Sequence, residues 1–277
     1  MFPCGSEGKP HAGQNGTVAT TPRTVALGDR QVTRIGLGTN RLANTSENRS
    51  FLEAAVDAGV NFIDTAHLYT GGDSESAIGE ALAPLTEDLV VASKAGYNSG
   101  TGIEALRSEI ETSFERLRTD TITLYYLHRD HPDVPLEEKM ALLEEYRDAG
   151  RIAHIGLSQV TVEQIQRAQA VVPIAAVQNP YNLSDRGYDD VIDYCESEGL
   201  VFVPFYPLRG DSSSAVEEIA AQPDATPSQI QLAWLLHRSP VVAPIPGTLS
   251  LEHCRENLGA LEIELSEDEF QALSEAG

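Results

Sequence analysis

Three features of the chain together predict an α/β fold, a (β/α)8 TIM barrel with a short N-terminal β-hairpin. Strand-like and helix-like runs alternate eight times at a spacing of roughly 30 residues, the size of one strand–helix unit. No interior stretch has linker composition, and no sequence repeat marks a second domain. The first strand–helix turn, Gly36-Leu37-Gly38-Thr39-Asn40-Arg41, has Gly-x-Gly without the third glycine of a dinucleotide fingerprint. That omission disfavours an open, doubly wound sheet.

The elements follow in chain order. Thr24 to Leu27 and Gln31-Val32 flank a Gly28-Asp29 turn and read as a hairpin. Arg34 to Thr39 is the first barrel strand. Ser50 to Ala58 carries Phe51, Ala54, Ala55 and Ala58 at helical spacing, and Val60 to Asp64 is the second strand. Ser74 to Leu82 is a short helix, Leu89 to Ser93 a strand, and Thr101 to Leu117 a longer helix. Thr121 to Leu127 is rich in β-formers and ends at His128. Leu136 to Ala149 is a helix stopped by Gly150, Ile152 to Leu157 a strand, and Val162 to Ala170 a helix. Ile174 to Val177 and Leu200 to Val203 are strands on either side of a helix over Tyr188 to Ser197. Thr226 to His237 is a strong helix, and Val241-Val242-Ala243 is the eighth strand. Leu251 to Leu258 is its helix, and Ser266 to Ser274 closes the chain with a Ser-x-x-Glu start. Residues 1–22 are rich in small and polar types, without a signal-like apolar core, and are expected to form a disordered tail. Residues 23–277 are expected to form the barrel.

Composition narrows the function classes. The chain has 42 acidic and 19 basic residues, a net charge of −23. Such a field repels nucleic acid. No apolar run is long enough to span a membrane. Only Lys9, Lys94 and Lys139 are lysines, which fits adaptation to molar salt, where screening lengths fall to about 3 Å. Cys4, Cys195 and Cys254 lack metal-like spacing, and their odd number speaks against a disulfide framework. A reducing cytoplasm is the expected compartment.

In a barrel of this type, chemistry sits where strands end and loops begin. Asp64, Lys94 and His128 end the second, third and fourth strands, and Tyr69 lies on the second loop. A phenol is a weak acid at neutral pH. A neighbouring ammonium is expected to favour the phenolate, and a carboxylate to hold that ammonium charged. The set suits protonation of a carbonyl oxygen while hydride reaches the carbon. Each residue alone has an ordinary structural reading, and His128 with His131 also suggests a metal ligand pair. All four on successive strand ends are harder to reconcile with chance.

Gly59-Val60-Asn61-Phe62-Ile63-Asp64-Thr65-Ala66, Tyr69, and Ser74-Glu75 followed by Gly79-Glu80-Ala81-Leu82 resemble the signature of the aldo-keto reductases. Ala92-Ser93-Lys94, Tyr126-Leu127-His128, Gly156-Leu157-Ser158, Gln178-Asn179-Pro180-Tyr181-Asn182 and Ile245-Pro246-Gly247-Thr248 extend the likeness from about Arg23 to the last helix. The resemblance implies an NADPH-binding barrel acting on a small-molecule carbonyl, with NADH as the alternative carrier; no metal is expected, and a monomer is the default. It implies Tyr69 as general acid, Lys94 and Asp64 as its tuners, and His128 as the group that orients the carbonyl. Ser158, Gln159 and Gln178 would hold the carboxamide, Phe205 would stack on the nicotinamide with Tyr206 beside it, and the loop Leu208-Arg209-Gly210 would lie along the pyrophosphate. Gly38 and Thr39 would flank the cofactor, and Gly247, Thr248, His253, Arg255, Glu256 and Asn257 would hold its adenosine end.

Four departures from the usual pattern stand out. Gln159 stands for asparagine, Phe205-Tyr206 for Tyr-Ser, and Thr70 for glycine, while Gly247 and His253 replace basic residues on the 2′-phosphate. Trp234 reads as core and His67 as a solvated loop residue. The loops after the first, fourth and seventh strands are short, which predicts an open pocket. Two rival readings remain at this level: a nicotinamide-binding barrel that regulates a partner with little turnover, and a metal-dependent hydrolase on the same scaffold.

Overall fold

The computed structural model describes residues 22–98, 102–210, 213–221 and 225–277. The expected N-terminal tail therefore lies, but for Pro22, outside the described residues. Strands β1 (Thr24–Leu27) and β2 (Arg30–Thr33) pair antiparallel. Their Leu27 and Val32 join Phe62, Val90, Leu124 and Val201 in the barrel interior, so the hairpin plugs one end of the barrel. Gly28 at its turn has φ +58°, and a Cβ there would lie 2.1 Å from the His154 ring.

Seven strands follow in a parallel sheet whose spatial order is their chain order. They are β3 (Leu37–Gly38), β4 (Phe62–Asp64), β5 (Val90–Ala95), β6 (Ile122–Leu127), β7 (Ile152–Ser158), β8 (Ile174–Gln178) and β9 (Val201–Phe202). The helices are α1 (Ser46–Asp57), α2 (Asp73–Leu82), α3 (Gly102–Leu117), α4 (Leu136–Asp148) and α5 (Val162–Gln169). They continue as α6 (Asp189–Glu198), α7 (Ser214–Ala220), α8 (Pro227–Arg238), α9 (Leu251–Gly259) and α10 (Glu267–Ala276). The larger core lies between sheet and helices, and a smaller one fills the barrel.

The expected eighth strand is the main correction. Residues 241–247 close the barrel by isolated bridges, Val242 to Phe202 and Gly247 to Gly38, rather than by a regular ladder. On the β9 side Ala243 N–H donates to Phe202 O (2.9 Å) and Ile245 N–H to Pro204 O (3.3 Å). On the β3 side, Gly36 and Gly38 N–H donate to Pro244 O (2.9 Å) and Pro246 O (3.2 Å). Pro244 and Pro246 have no N–H to return, so half of that ladder's donors are missing. The two glycines of Gly36-Leu37-Gly38 belong to this closure. A Cβ on Gly36 would meet Phe62 at 2.8 Å, and one on Gly38 would meet Ile245 O at 2.7 Å.

Other boundaries moved for local reasons. Helix α1 begins at Ser46, ahead of the expected Ser50, because the Thr45 side chain caps it by accepting from Asn48 N–H. Its polar first turn gives no apolar signal. Helix α7 has no counterpart among the sequence expectations; Ser213 caps it, and Val216, Ile219 and Ala220 are its buried face. Capping boxes at Thr161, Thr226 and Ser266 start α5, α8 and α10. Strand β5 runs through Lys94 to Ala95, which puts Lys94 inside the barrel wall.

Two interior contacts hold the frame. Arg34 is fully buried and donates to the carbonyls of Val242 (2.9 Å), Leu236 (2.8 Å), Pro22 (3.1 Å) and Ser239. It thus ties the lead-in to β3 to the C-terminal end of α8, where carbonyls lack helical partners. Burial alone depresses its pKa to about 10, which leaves it charged. Gly79 lets α2 meet α3, since a Cβ there would lie 2.1 Å from Arg116 O.

Candidate active site

Asp64 ends β4, Lys94 lies near the end of β5, and His128 follows β6, so neighbouring strands deliver all three to one rim. Tyr69 opens a 3-10 turn over Tyr69–Gly72 after β4. Thr70 holds that turn at φ +49°, where glycine was the expected residue, and its hydroxyl donates to Leu42 O at 2.7 Å. The threonine thus keeps a left-handed backbone at a cost of about 1–2 kcal/mol.

Lys94 is the hub. Its Nζ donates to Asp64 Oδ1 (2.6 Å), to Thr65 O (2.8 Å) and to Tyr69 Oη (3.3 Å). Lys94 and Asp64 have side-chain exposures of 0% and 1%, so neither charge has water to fall back on. Gln178 Nε2 donates to Asp64 Oδ2 at 2.7 Å. Burial pushes the Asp64 carboxyl up, against the pull of Lys94 and Gln178. For Lys94, burial works against the charge, but Asp64 and Tyr69 outweigh it and raise the pKa. For Tyr69 the sequence expectation reverses. Burial raises the phenol above its ordinary value, and the lowering by Lys94 does not overcome it. Tyr69 is therefore a neutral phenol, with the Lys94 ammonium already on its oxygen.

His128 is buried, and burial with Lys94 and Arg129 nearby lowers its pKa to about 2. Its imidazole is neutral, and its Nδ1 is buried without a partner. The ring meets Tyr69 edge-on at 6.0 Å and Tyr97 at 4.9 Å between centroids. A neutral imidazole beside a phenol can hold a carbonyl without competing for its proton. Among the described residues, no group of three or more His, Cys, Asp or Glu could hold a metal ion. Instead His131 Nε2 hydrogen-bonds Tyr97 O at 2.7 Å, so the metal-pair reading of His128 and His131 has no support.

A cavity of about 840 Å³ opens above these groups. Asp64, Tyr69 and His128 line it, with Gly38, Thr39, Ser158, Gln159, Gln178, Phe205, Tyr206, Leu208 and Gly247 from the expected cofactor set. Gln159 takes φ +57°, and Asn179 fixes the turn by bonding both Val160 N (3.0 Å) and Val160 O (2.8 Å). Gly210, Thr248, His253, Arg255, Glu256 and Asn257 are not part of the cavity wall. Glu256 accepts from Thr226 Oγ1, and its carbonyl takes Gln229 Nε2 at 2.9 Å, which ties α9 to α8. His253 and Arg255 are exposed on α9. His67 is half-buried on its loop, with Arg116 Nη1 donating to its carbonyl at 2.8 Å and lying 3.3 Å from its Nδ1. Trp234 is core as expected, stacked between Tyr181 and Phe270. Arg41, from the first strand–helix turn, and Arg209, from the expected pyrophosphate loop, also line the cavity, as do Tyr97, Arg129 and Asp185, which were given no role from sequence. The one available signal was that Arg129 follows His128 directly.

The sequence profile of the Aldo/keto reductase family matches residues 34–277. This chain belongs to that family. The aldo/keto reductase chain is 35% identical to an uncharacterized oxidoreductase of Schizosaccharomyces pombe, over 94% of this chain and 91% of that protein. It is 34% identical to pyridoxine 4-dehydrogenase of Escherichia coli, over 90% and 96% of the two chains. It also superposes on an aldo/keto reductase of Klebsiella pneumoniae in complex with NADP and acetate, with a TM-score of 0.83 at 31% identity, covering 91% and 94%. The barrel and the family are thereby the ones the signature implied.

Proposed function

We propose that this reductase converts an aldehyde or ketone to the alcohol with NADPH, Tyr69 giving the proton. One observation carries the reading: Lys94 bonds both Asp64 and the Tyr69 hydroxyl at the floor of the cavity. The site residues fit a nicotinamide cofactor. Ser158, Gln159 and Gln178 offer amide and hydroxyl groups at one wall, and the Phe205 ring stands half-buried at another. The Gly247 backbone borders the cavity four residues before α9, whose N-terminus, capped by the Ser250 hydroxyl, favours anions. When bound, the cofactor supplies the hydride.

The chain's own residues do the rest. His128 donates a hydrogen bond to the carbonyl oxygen, and Tyr69 adds its proton as charge develops there. Lys94 stabilises the phenolate left behind, and Asp64 keeps Lys94 charged and aimed. In the oxidative direction the same phenolate takes the proton back. Exposed Arg255 and His253 favour the 2′-phosphate of NADPH, and without lysine at Gly247 NADH remains a second carrier. The relative that acts as pyridoxine 4-dehydrogenase supports an alcohol–carbonyl couple. The net charge of −23 and the three lysines support a monomer working at high salt, and the odd number of cysteines supports a reducing cytoplasm.

NADPH oxidation at 340 nm with a panel of aldehydes and ketones, in 0.2 M and 2 M KCl, tests the reading. Tyr69→Phe should cut kcat by at least about a thousandfold while NADPH binding, read by fluorescence, persists. Rates and melting temperature should both rise with salt. Cofactor binding without turnover of any carbonyl would discard the reductase reading in favour of a regulatory barrel.

A further inference from the structure

In a chain with 42 acids and 19 bases, a guanidinium without a carboxylate is unusual. Ten of the sixteen arginines have such a partner within the described residues, from Arg23 to Arg238. Of the remaining six, Arg34 is buried among carbonyls, and Arg41, Arg129 and Arg209 all line the active-site cavity. Among the described residues these three guanidinium groups have no carboxylate within ion-pair distance, and they face the cavity.

The barrel's order divides these three. Arg41 follows β3 and Arg209 follows β9, and both strands flank the closing segment that ends at Gly247. That is the wall already assigned to the dinucleotide. Arg129 follows β6, across the ring, beside the strands that carry Lys94 and Ser158. Its guanidinium lies over the Tyr97 ring at 4.2 Å, and Tyr97 in turn meets the edge of His128. The stack leaves the Arg129 Nε buried without a hydrogen-bond partner. A buried donor on a planar, always charged fork is costly unless an acceptor arrives, and paired oxygens match that fork best.

We infer that Arg129, held by Tyr97, is the specificity-determining residue for a carbonyl substrate that also carries an anionic oxygen group, a carboxylate or a phosphate. The inference rests on the reductase reading above. The fork binds the anionic end, the Tyr97 ring fixes its orientation, and His128 places the carbonyl against Tyr69. The surrounding negative field makes a local cation on this wall necessary for an anionic substrate end.

The test compares size-matched substrates with NADPH. Succinic semialdehyde is set against butanal, and glyceraldehyde 3-phosphate against glyceraldehyde, for the natural protein, Arg129→Lys and Arg129→Met. The anionic member of at least one pair should be favoured about tenfold to a hundredfold in kcat/KM. Arg129→Met should bring that ratio toward one, chiefly through KM, and Arg129→Lys should fall between. NADPH affinity, measured on each variant, should not move and also reports that the variant is folded. Ratios near one in the natural protein would overturn the inference, as would a ratio that survives Arg129→Met. An equal loss on charged and neutral substrates would also overturn it, leaving Arg129 as a prop for Tyr97. If NADPH binds and no carbonyl turns over, the reductase reading fails separately. In that case succinate and inorganic phosphate are titrated into the cofactor complex. Binding lost in Arg129→Met upholds the subsite, and no binding removes it.

Discussion

His128→Asn isolates the energetic cost of keeping an imidazole neutral inside the barrel. In the unfolded chain His128 titrates near 6.5, and in the fold its pKa is lowered to about 2. Between those values the unfolded chain holds a proton that the native protein refuses, so stability must fall as pH falls. Lowering the pH from 7 to 5 multiplies the unfolded population by about 25, or about 2 kcal/mol, from this residue alone. Asparagine keeps a polar amide and removes the titration. Urea unfolding of both proteins at pH 7 and pH 5 gives four free energies, and all other titrating groups cancel in the double difference. The natural protein should lose about 2 kcal/mol more than His128→Asn over that interval. Equal losses would mean that the imidazole is not desolvated. A smaller loss in the natural protein would mean that it is protonated in the fold, and the hydrogen-bonding role proposed for it would fall. The kinetic counterpart is that kcat/KM of the natural protein shows no titration near pH 6.5 from this residue.

Two further perturbations probe the frame. Arg34→Met removes the buried charge but abandons four carbonyls, and should destabilise by about 3–5 kcal/mol in urea unfolding. A loss below about 1 kcal/mol would show that those carbonyls find other partners. Gly79→Ala should destabilise by about 1–3 kcal/mol because its Cβ would strike Arg116 O, although alanine is the better helix former by about 1 kcal/mol. A rise in melting temperature would mean that α2 and α3 separate easily.

The sequence determined the alternation of strands and helices, and hence the barrel, because burial on both faces of a parallel strand leaves a continuous apolar run such as Val90-Val91-Ala92. It also pointed to Asp64, Tyr69, Lys94 and His128 as a cluster, since strand ends are local features and the topology brings consecutive ones together. Capping signals at Thr226 and Ser266 were readable for the same reason. The irregular closure by Pro244 and Pro246 was not readable, because which side of a strand lacks a donor depends on its neighbours. The double role of Gly36 and Gly38, which resembles half a nucleotide motif, became clear only when Phe62 and Ile245 were seen pressed against them. The sign of the Tyr69 shift was likewise a tertiary fact. From sequence, Lys94 beside the phenol argues for a lowered pKa; the fold buries both, and the loss of water outweighs the charge. Arg129 shows the same limit. Its place after His128 is written in the chain, but that it stacks on Tyr97 with no acid among the described residues to meet it is a fact of three dimensions.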